Sequence, residues 1–329
     1  MGPIFAPISP IRYSTFMFTD DRRTVPLIIL LGIALDLVCR FVPADLPAIA
    51  PFDFNILIYL GCVFAPLWYW RGYRATDPAH RPALWRPIAF YASVAMIYIV
   101  LQTRFEYAAQ HMFFLNRLQQ MTISVFAPFL IAFCWPGEVL ARGAPPMILR
   151  LVRHRLVRQP LAVLRNPLIA ALIMLAVTDI WLIPSVDLAA MLDAQLYNIM
   201  NISMIAAGLL FWFVVLDPRP RPQSRHTYLT RMVAGFLPMF PAVLVAATIA
   251  LSNTDFYSFY NLCGRLYPGI SAHYDQLLGG MIQWIPPGML NSAVLFVLLN
   301  ALRQQEEKTV EATPIPVGAR VIEAKWTGR

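Results

Sequence analysis

Eight long apolar runs separated by polar connections constrain this chain more than any other feature. A helix needs roughly 20 apolar residues to cross the hydrocarbon core of a bilayer, and a soluble domain rarely needs even one such run. The runs lie near 24–43, 54–70, 86–102, 118–136, 167–184, 196–216, 232–252 and 277–301. Composition agrees, with 58% hydrophobic and only 13% charged residues, where a soluble domain carries about 25% charged. In lipid every backbone N–H and C=O must be satisfied within the segment. The expected fold class is therefore all-α: a polytopic transmembrane helical bundle of about eight spans. It divides into an N-terminal arm (1–23), a transmembrane domain (24–302) and a polar C-terminal tail (303–329).

The net charge of +8 would suggest nucleic acid in a soluble protein, but here its distribution matters more than its size. Arginines crowd into the N-terminal arm, the tail and alternate connections: Arg71 to Arg86, Arg142 to Arg165, and Arg219 to Arg231. Of the 26 Lys and Arg residues only Arg40, Arg104, Arg117 and Arg265 are left for the other side. By the positive-inside rule both termini are cytoplasmic, and an even number of spans agrees. The basic balance is thus topological, and no nucleic-acid partner is implied. The first run follows Asp20, Asp21 and several prolines, with no small-residue cleavage site after it, and reads as a retained span. Cys39, Cys62, Cys134 and Cys263 are far apart and form no CxxC pair, so neither a disulfide framework nor a thiolate zinc site is indicated.

Local patterns refine this layout. Asp36 and Arg40 are four apart on the first span and can pair on one helix face. The 137–166 connection contains LRLVRHRLVRQPLAVLRNP, an amphipathic segment suited to anionic headgroups, with a docking surface for a partner as the alternative. Ala206, Ala207 and Gly208 on span six would let a neighbouring helix approach closely. Pro238 and Pro241 predict a kink in span seven. The connection from Ser185 to Gln195 carries Asp187 and Asp193 without any Lys or Arg.

The polar residues that need a reason lie between Arg104 and Pro128, where His111, Asn116, Gln119 and Gln120 stand at the mouth of a hydrophobic segment. Spans four, six and eight all enter from the outside, and each has polar side chains in its first turns. Asn116 and Gln120 share a face on span four, as do Tyr197 and Asn201 on span six, and span eight begins with Asp275 and Gln276. If these helices are neighbours, their polar faces converge on one pocket at the outer surface. Such a cluster either coordinates something or joins helices by amide hydrogen bonds. His111 and His273 are the external imidazoles, and Met112, Met121, Met200, Met204, Met281 and Met289 are thioethers of the kind Cu(I) accepts. No phosphate loop, HExxH or nucleophile beside a base occurs, so no catalytic activity of its own is expected.

Four stretches in order, LGCVFAPLWYWRGYR, QHMFFLNRLQQMTISVFAPFLI, GLLFWFVVLDPRP and DQLLGGMIQWIPPG, resemble the CtaG-type cytochrome c oxidase assembly proteins associated with caa-type oxidases. The resemblance covers roughly residues 55–300. It implies a multi-pass protein of the bacterial inner membrane that helps mature heme-copper oxidases, with copper handled on the outer side and oxidase subunits as partners. The chain departs from the family where the ligands would be. NRLQQ stands where the family tends to read HMxQH, so Asn116 and Gln120 replace histidines. Tyr197 and Asn201 do the same on span six, and WLIP at 181–184 lacks the histidine that often follows the Trp. Amides are poor Cu(I) ligands. The resemblance therefore implies a degenerate copper site reduced to His111, Met112 and Asp275, with Asn116, Gln120, Tyr197, Asn201 and Gln276 lining it. The alternative is an accessory or structural subunit of a respiratory membrane complex that binds no metal.

Overall fold

A computed structural model describes residues 21–41, 47, 49–51, 53–217, 226–262 and 264–312. Most of the proposed N-terminal arm, most of the tail, Cys263 and the Pro-Arg stretch after Asp217 lie outside the described residues. Within them the chain is helical with no strand. In chain order the helices are α1 (Asp21–Phe41), α2 (Ile56–Arg74), α3 (Trp85–Leu101), α4 (Phe105–His111), α5 (Phe113–Met121), α6 (Ala127–Cys134), α7 (Gly137–Gly143) and α8 (Pro146–Arg153). They continue with α9 (Arg155–Leu164), α10 (Pro167–Ile180), α11 (Pro184–Leu192), α12 (Ala194–Val215), α13 (Tyr228–Phe236), α14 (Met239–Leu251) and α15 (Ala272–Ala312).

Five helical segments are long and apolar enough to cross a bilayer: Arg23–Phe41, Phe113–Cys134, Ala194–Val215, Tyr228–Leu251 and Ala272–Gln305. Two bent pairs raise the number to seven if each is one span: α3 with α4, bent by 55°, and α9 with α10, bent by 87°. The apolar run expected over 167–184 forms a helix of only 14 residues, about 21 Å long at 1.5 Å per residue. Its apolar sequence continues through a turn at Trp181–Ile183 into α11, so hydropathy alone could not see the break. Span seven is interrupted between Phe236 and Met239, where Pro238 and Pro241 predict disruption. The Asp36–Arg40 pair forms, with Nε donating to Oδ1 at 3.1 Å.

Span four begins earlier than expected. Its helix starts at Phe113 rather than near 118 and runs to Cys134, with a π turn at Thr122–Phe126 between α5 and α6. The polar residues 116–120 therefore lie inside the helix instead of at its mouth. Around this central element pack α12, along α6 and the π turn, and α15, along α5; α14 packs along α15. Glycines set the closest approaches. A Cβ on Gly280 would lie 2.8 Å from the Ala246 carbonyl oxygen and the Ala250 nitrogen, so α14 and α15 meet backbone to backbone. Gly72 on α2 and Gly143 on α7 face each other's helices in the same way. In lipid such contacts supply the packing attraction that the hydrophobic effect cannot.

Candidate functional site

The first turns of α5, α12 and α15 converge at one end of the bundle and form a packed polar layer. Tyr197 on α12 donates its hydroxyl to Gln119 Oε1 on α5 at 2.8 Å, and Gln119 Nε2 donates to the Val100 carbonyl of α3 at 2.7 Å. Gln120 Nε2 reaches Met200 Sδ on α12 at 3.5 Å. One turn closer to the helix start, Arg117 donates to Asn116 Oδ1 at 2.6 Å and to Asp187 Oδ2 on α11 at 3.4 Å. The Arg117 guanidinium also lies over the Phe113 ring, 4.9 Å from its centroid. At this end Asn55 caps α2 through Leu57 N and Ile58 N, while its Nδ2 donates to Asn198 Oδ1 at 2.5 Å.

These groups are withdrawn from solvent. Asn116, Gln119 and Asp187 are 0% exposed, and Arg117, Gln120 and Asn201 are 1%. Burial pushes the Asp187 carboxyl above the ordinary carboxylate range, while the Arg117 guanidinium beside it pulls the other way. Such a pair holds only because each partner neutralises the other.

Asp275 has a task that the sequence conceals. Helix α5 starts after Met112, which sits in extended backbone and has no capping side chain. The exposed N–H groups of a first turn need an acceptor. Asp275 supplies it from α15: Oδ2 accepts from Phe113 N at 3.1 Å and Oδ1 from Phe114 N at 2.8 Å. A carboxylate there also complements the positive end of the helix dipole. Arg265 then binds Asp275 Oδ2 at 2.5 Å.

The rest of the DQLLGG motif is equally occupied. Gln276 Nε2 donates to the carbonyls of Ile249 and Thr254, both at 3.0 Å, and its Oε1 accepts from Phe256 N at 2.9 Å. It ties the end of α14 to α15. A Cβ on Gly279 would run into the Phe113 ring and approach Arg117 Cγ at 3.3 Å, so this glycine lets α15 reach α5. Asp275, Gln276, Gly279 and Gly280 of the motif thus join helices.

The three residues expected to hold copper do not fit Cu(I) as they are arranged. Asp275 is committed to two amides and a guanidinium. His111 is half-buried at the end of α4, its Nδ1 against the Tyr107 carbonyl at 2.8 Å and its ring 4.1 Å from that of Tyr107. Met112 is fully buried. The Arg265 guanidinium and the N-terminus of α5 already face the Asp275 carboxylate, which disfavours a further cation there. Among the described residues no three His, Cys, Asp or Glu side chains come together as a metal-ligand group. The candidate thioethers disperse: Met200 and Met204 are core, whereas Met281 and Met289 are exposed at 39% and 70%. His273 is exposed.

Sequence reasoning missed Arg117 and Asp187 as partners, although a signal was present. Arg40, Arg117 and Arg265, all outside the basic connections, pair with the carboxylates of Asp36, Asp187 and Asp275. A charge that falls outside the basic connections and within an apolar bundle is costly unless a partner holds it. Glu106, 3% exposed, and the hydroxyl-bearing rings of Tyr257 and Tyr260 also belong to this end of the bundle. Tyr257 donates to the Leu182 carbonyl at 2.7 Å.

Among the described residues an all-helical bundle with five to seven candidate membrane-crossing segments, joined at one end by buried polar side chains, fits a multi-pass membrane protein. A family profile for the cytochrome c oxidase caa3 assembly factor (Caa3_CtaG) matches residues 67–305, and the chain belongs to that family. No curated protein and no solved structure matches the chain.

Proposed function

We propose that the chain acts in the assembly or maturation of a heme-copper cytochrome c oxidase in a bacterial inner membrane, holding oxidase subunits through protein contacts rather than carrying copper in the polar layer. The observation that supports this most is the commitment of Asp275, Gln276, Gly279 and Gly280 to α5 and α14. These residues carry the family resemblance, and all of them build a rigid outer end. Asn116, Gln120, Tyr197 and Asn201, which stand where the family resemblance implies histidines, are packed into the same layer.

In this reading α2 is also a span. Its 19 residues are about 28 Å long, and its last turns carry Trp70, Arg71 and Arg74 in the manner of an interfacial belt. Together with the five long helices and the two bent pairs it makes eight, with both termini cytoplasmic and the polar layer outside. A reporter fused at Arg155 should then behave as cytoplasmic and one at Asp187 as external. The opposite pattern would put the layer on the wrong side for an outer-face role.

A second reading keeps copper and rests on His111, whose Nδ1 contact with Tyr107 leaves Nε2 for a ligand. Removing the protein from its host should lower oxidase activity, and a copy carrying His111→Ala and the volume-conserving Met112→Leu, which removes the thioether of a fully buried side chain, should restore it to the wild-type level. The purified protein should fail to take Cu(I) from a chromophoric chelator. Stoichiometric Cu(I) uptake lost in the double variant, with loss of oxidase copper, would establish the second reading instead. Unchanged oxidase activity on removal would defeat both. Co-purification with oxidase subunits at a fixed ratio would make the chain a subunit rather than an assembly factor.

A further inference from the structure

At the end of the bundle opposite the polar layer, α2 and α3 enclose a groove of about 370 Å³. Its floor and walls are aromatic: Tyr69, Trp70 and Tyr73 come from the last turns of α2, and Tyr91 from α3. Leu84 and Pro87 close its far side. Tyr69 is buried and stacks on Phe90 at 4.4 Å, which fixes the floor. Trp70 and Leu84 are 46% and 73% exposed, as suits side chains that face hydrocarbon rather than water.

Two cations belong to the same groove. The Arg74 guanidinium lies over the Trp70 ring, 4.3 Å from its centroid, and Arg81 lies 5.4 Å from that of Tyr73. Arg81 is also held by its Nε, which donates to the Thr76 carbonyl at 3.2 Å. Stacking on aromatic faces preorganises a guanidinium, and its remaining N–H groups suit the oxygens of a phosphate. Neither arginine has a carboxylate within ion-pairing distance among the described residues, unlike the three paired arginines at the other end. An apolar trough with two uncompensated guanidiniums at its rim matches one ligand chemistry: an acyl chain joined to a negatively charged phosphate.

We propose that this groove binds an anionic phospholipid, with the headgroup phosphate between Arg74 and Arg81 and an acyl chain along Trp70, Leu84 and Tyr91. The site is separate from the polar layer and does not depend on the reading given to that layer. By the arginine distribution it lies in the inner leaflet, where a basic segment gains about 1 kcal/mol per Arg from anionic lipid.

The test uses the full chain purified in mild detergent. Phosphatidylglycerol should stay bound in native mass spectrometry and raise the melting temperature, whereas phosphatidylcholine and inorganic phosphate should do neither. Arg74→Ala with Arg81→Ala should weaken phosphatidylglycerol binding about 30-fold, the equivalent of two such arginines, and leave the lipid-free melting temperature within a degree or two. Because both side chains are exposed, the fold should survive; if the pair still melts early, the single Arg81→Gln exchange read by native mass spectrometry decides. Equal binding of phosphatidylcholine, a full effect of phosphate alone, or undiminished phosphatidylglycerol binding in the variants would overturn the proposal.

Discussion

Asp187→Ala is expected to destabilise the protein by about 3–5 kcal/mol, the range for removing one member of a buried ion pair. The reason is what stays behind. Arg117 is 1% exposed, and a guanidinium cannot shed its proton. It would keep Asn116 Oδ1 at 2.6 Å and the Phe113 face, but neither cancels a full charge. The complementary exchange, Arg117→Met, should be milder because a carboxyl can become neutral. Burial already raises the Asp187 carboxyl, and losing the guanidinium raises it further. A carboxyl that binds its proton more tightly folded than unfolded gives stability that is complete below its unfolded value, near 3.9. That stability is lost as pH rises through the folded value. Arg117→Met should therefore melt progressively earlier as pH is raised from 4, while Asp187→Ala should be poor throughout. Joining Arg117→Met with Asp187→Leu should recover most of the loss, since apolar replacement of a whole buried pair is often close to neutral. Melting temperatures in one detergent across pH check all three. A tolerated Asp187→Ala would mean that the two side chains do not meet.

How much of this arrangement was legible in the sequence depended on how local its cause was. Period and polarity put polar side chains in the first turns of spans four, six and eight and left their adjacency as a condition, which the Tyr197–Gln119 hydrogen bond and the Asp275 cap meet. The Asp36–Arg40 pair is one helical turn apart and could be read directly. The start of α5 could not, because nothing near Met112 looks like a cap. The capping carboxylate lies 162 residues further along the chain. The burial of Asp187 was hidden for a similar reason: PSVDLAAML reads as a short acidic connection, yet it folds as α11 and is covered from another helix. Expecting ligands at His111, Met112 and Asp275 followed from which residue types were left, whereas their hydrogen-bond partners decide what those residues can still bind.

Gly208→Ala is the second large effect, and opposing magnitudes decide its sign. Alanine is favoured over glycine inside a helix by about 1 kcal/mol, so an unobstructed site should gain. Gly61 on α2 is such a site, with nothing within 4 Å of a built Cβ, and Gly61→Ala should raise the melting temperature. At Gly208 the new methyl would meet the Ser124 carbonyl, with its carbon at 2.8 Å, and Pro128 Cγ at 2.9 Å. Both belong to the central helix, one of them to its π turn, and neither can swing aside as a flexible side chain would. Overpacking typically costs about 1–3 kcal/mol and sometimes more, which outweighs the propensity gain. The effect should also travel. Tyr197, Asn201, Met204 and Gly208 fall on one face of α12, spaced four, three and four apart, so prising the helices apart at Gly208 tilts the polar layer. The 2.8 Å bond from Tyr197 to Gln119 would lengthen with it. Gly208→Ala should therefore lose both melting temperature and oxidase complementation, while Gly61→Ala keeps the second and improves the first. Equal behaviour of the two variants would show that α12 does not approach the π turn as closely as this packing requires.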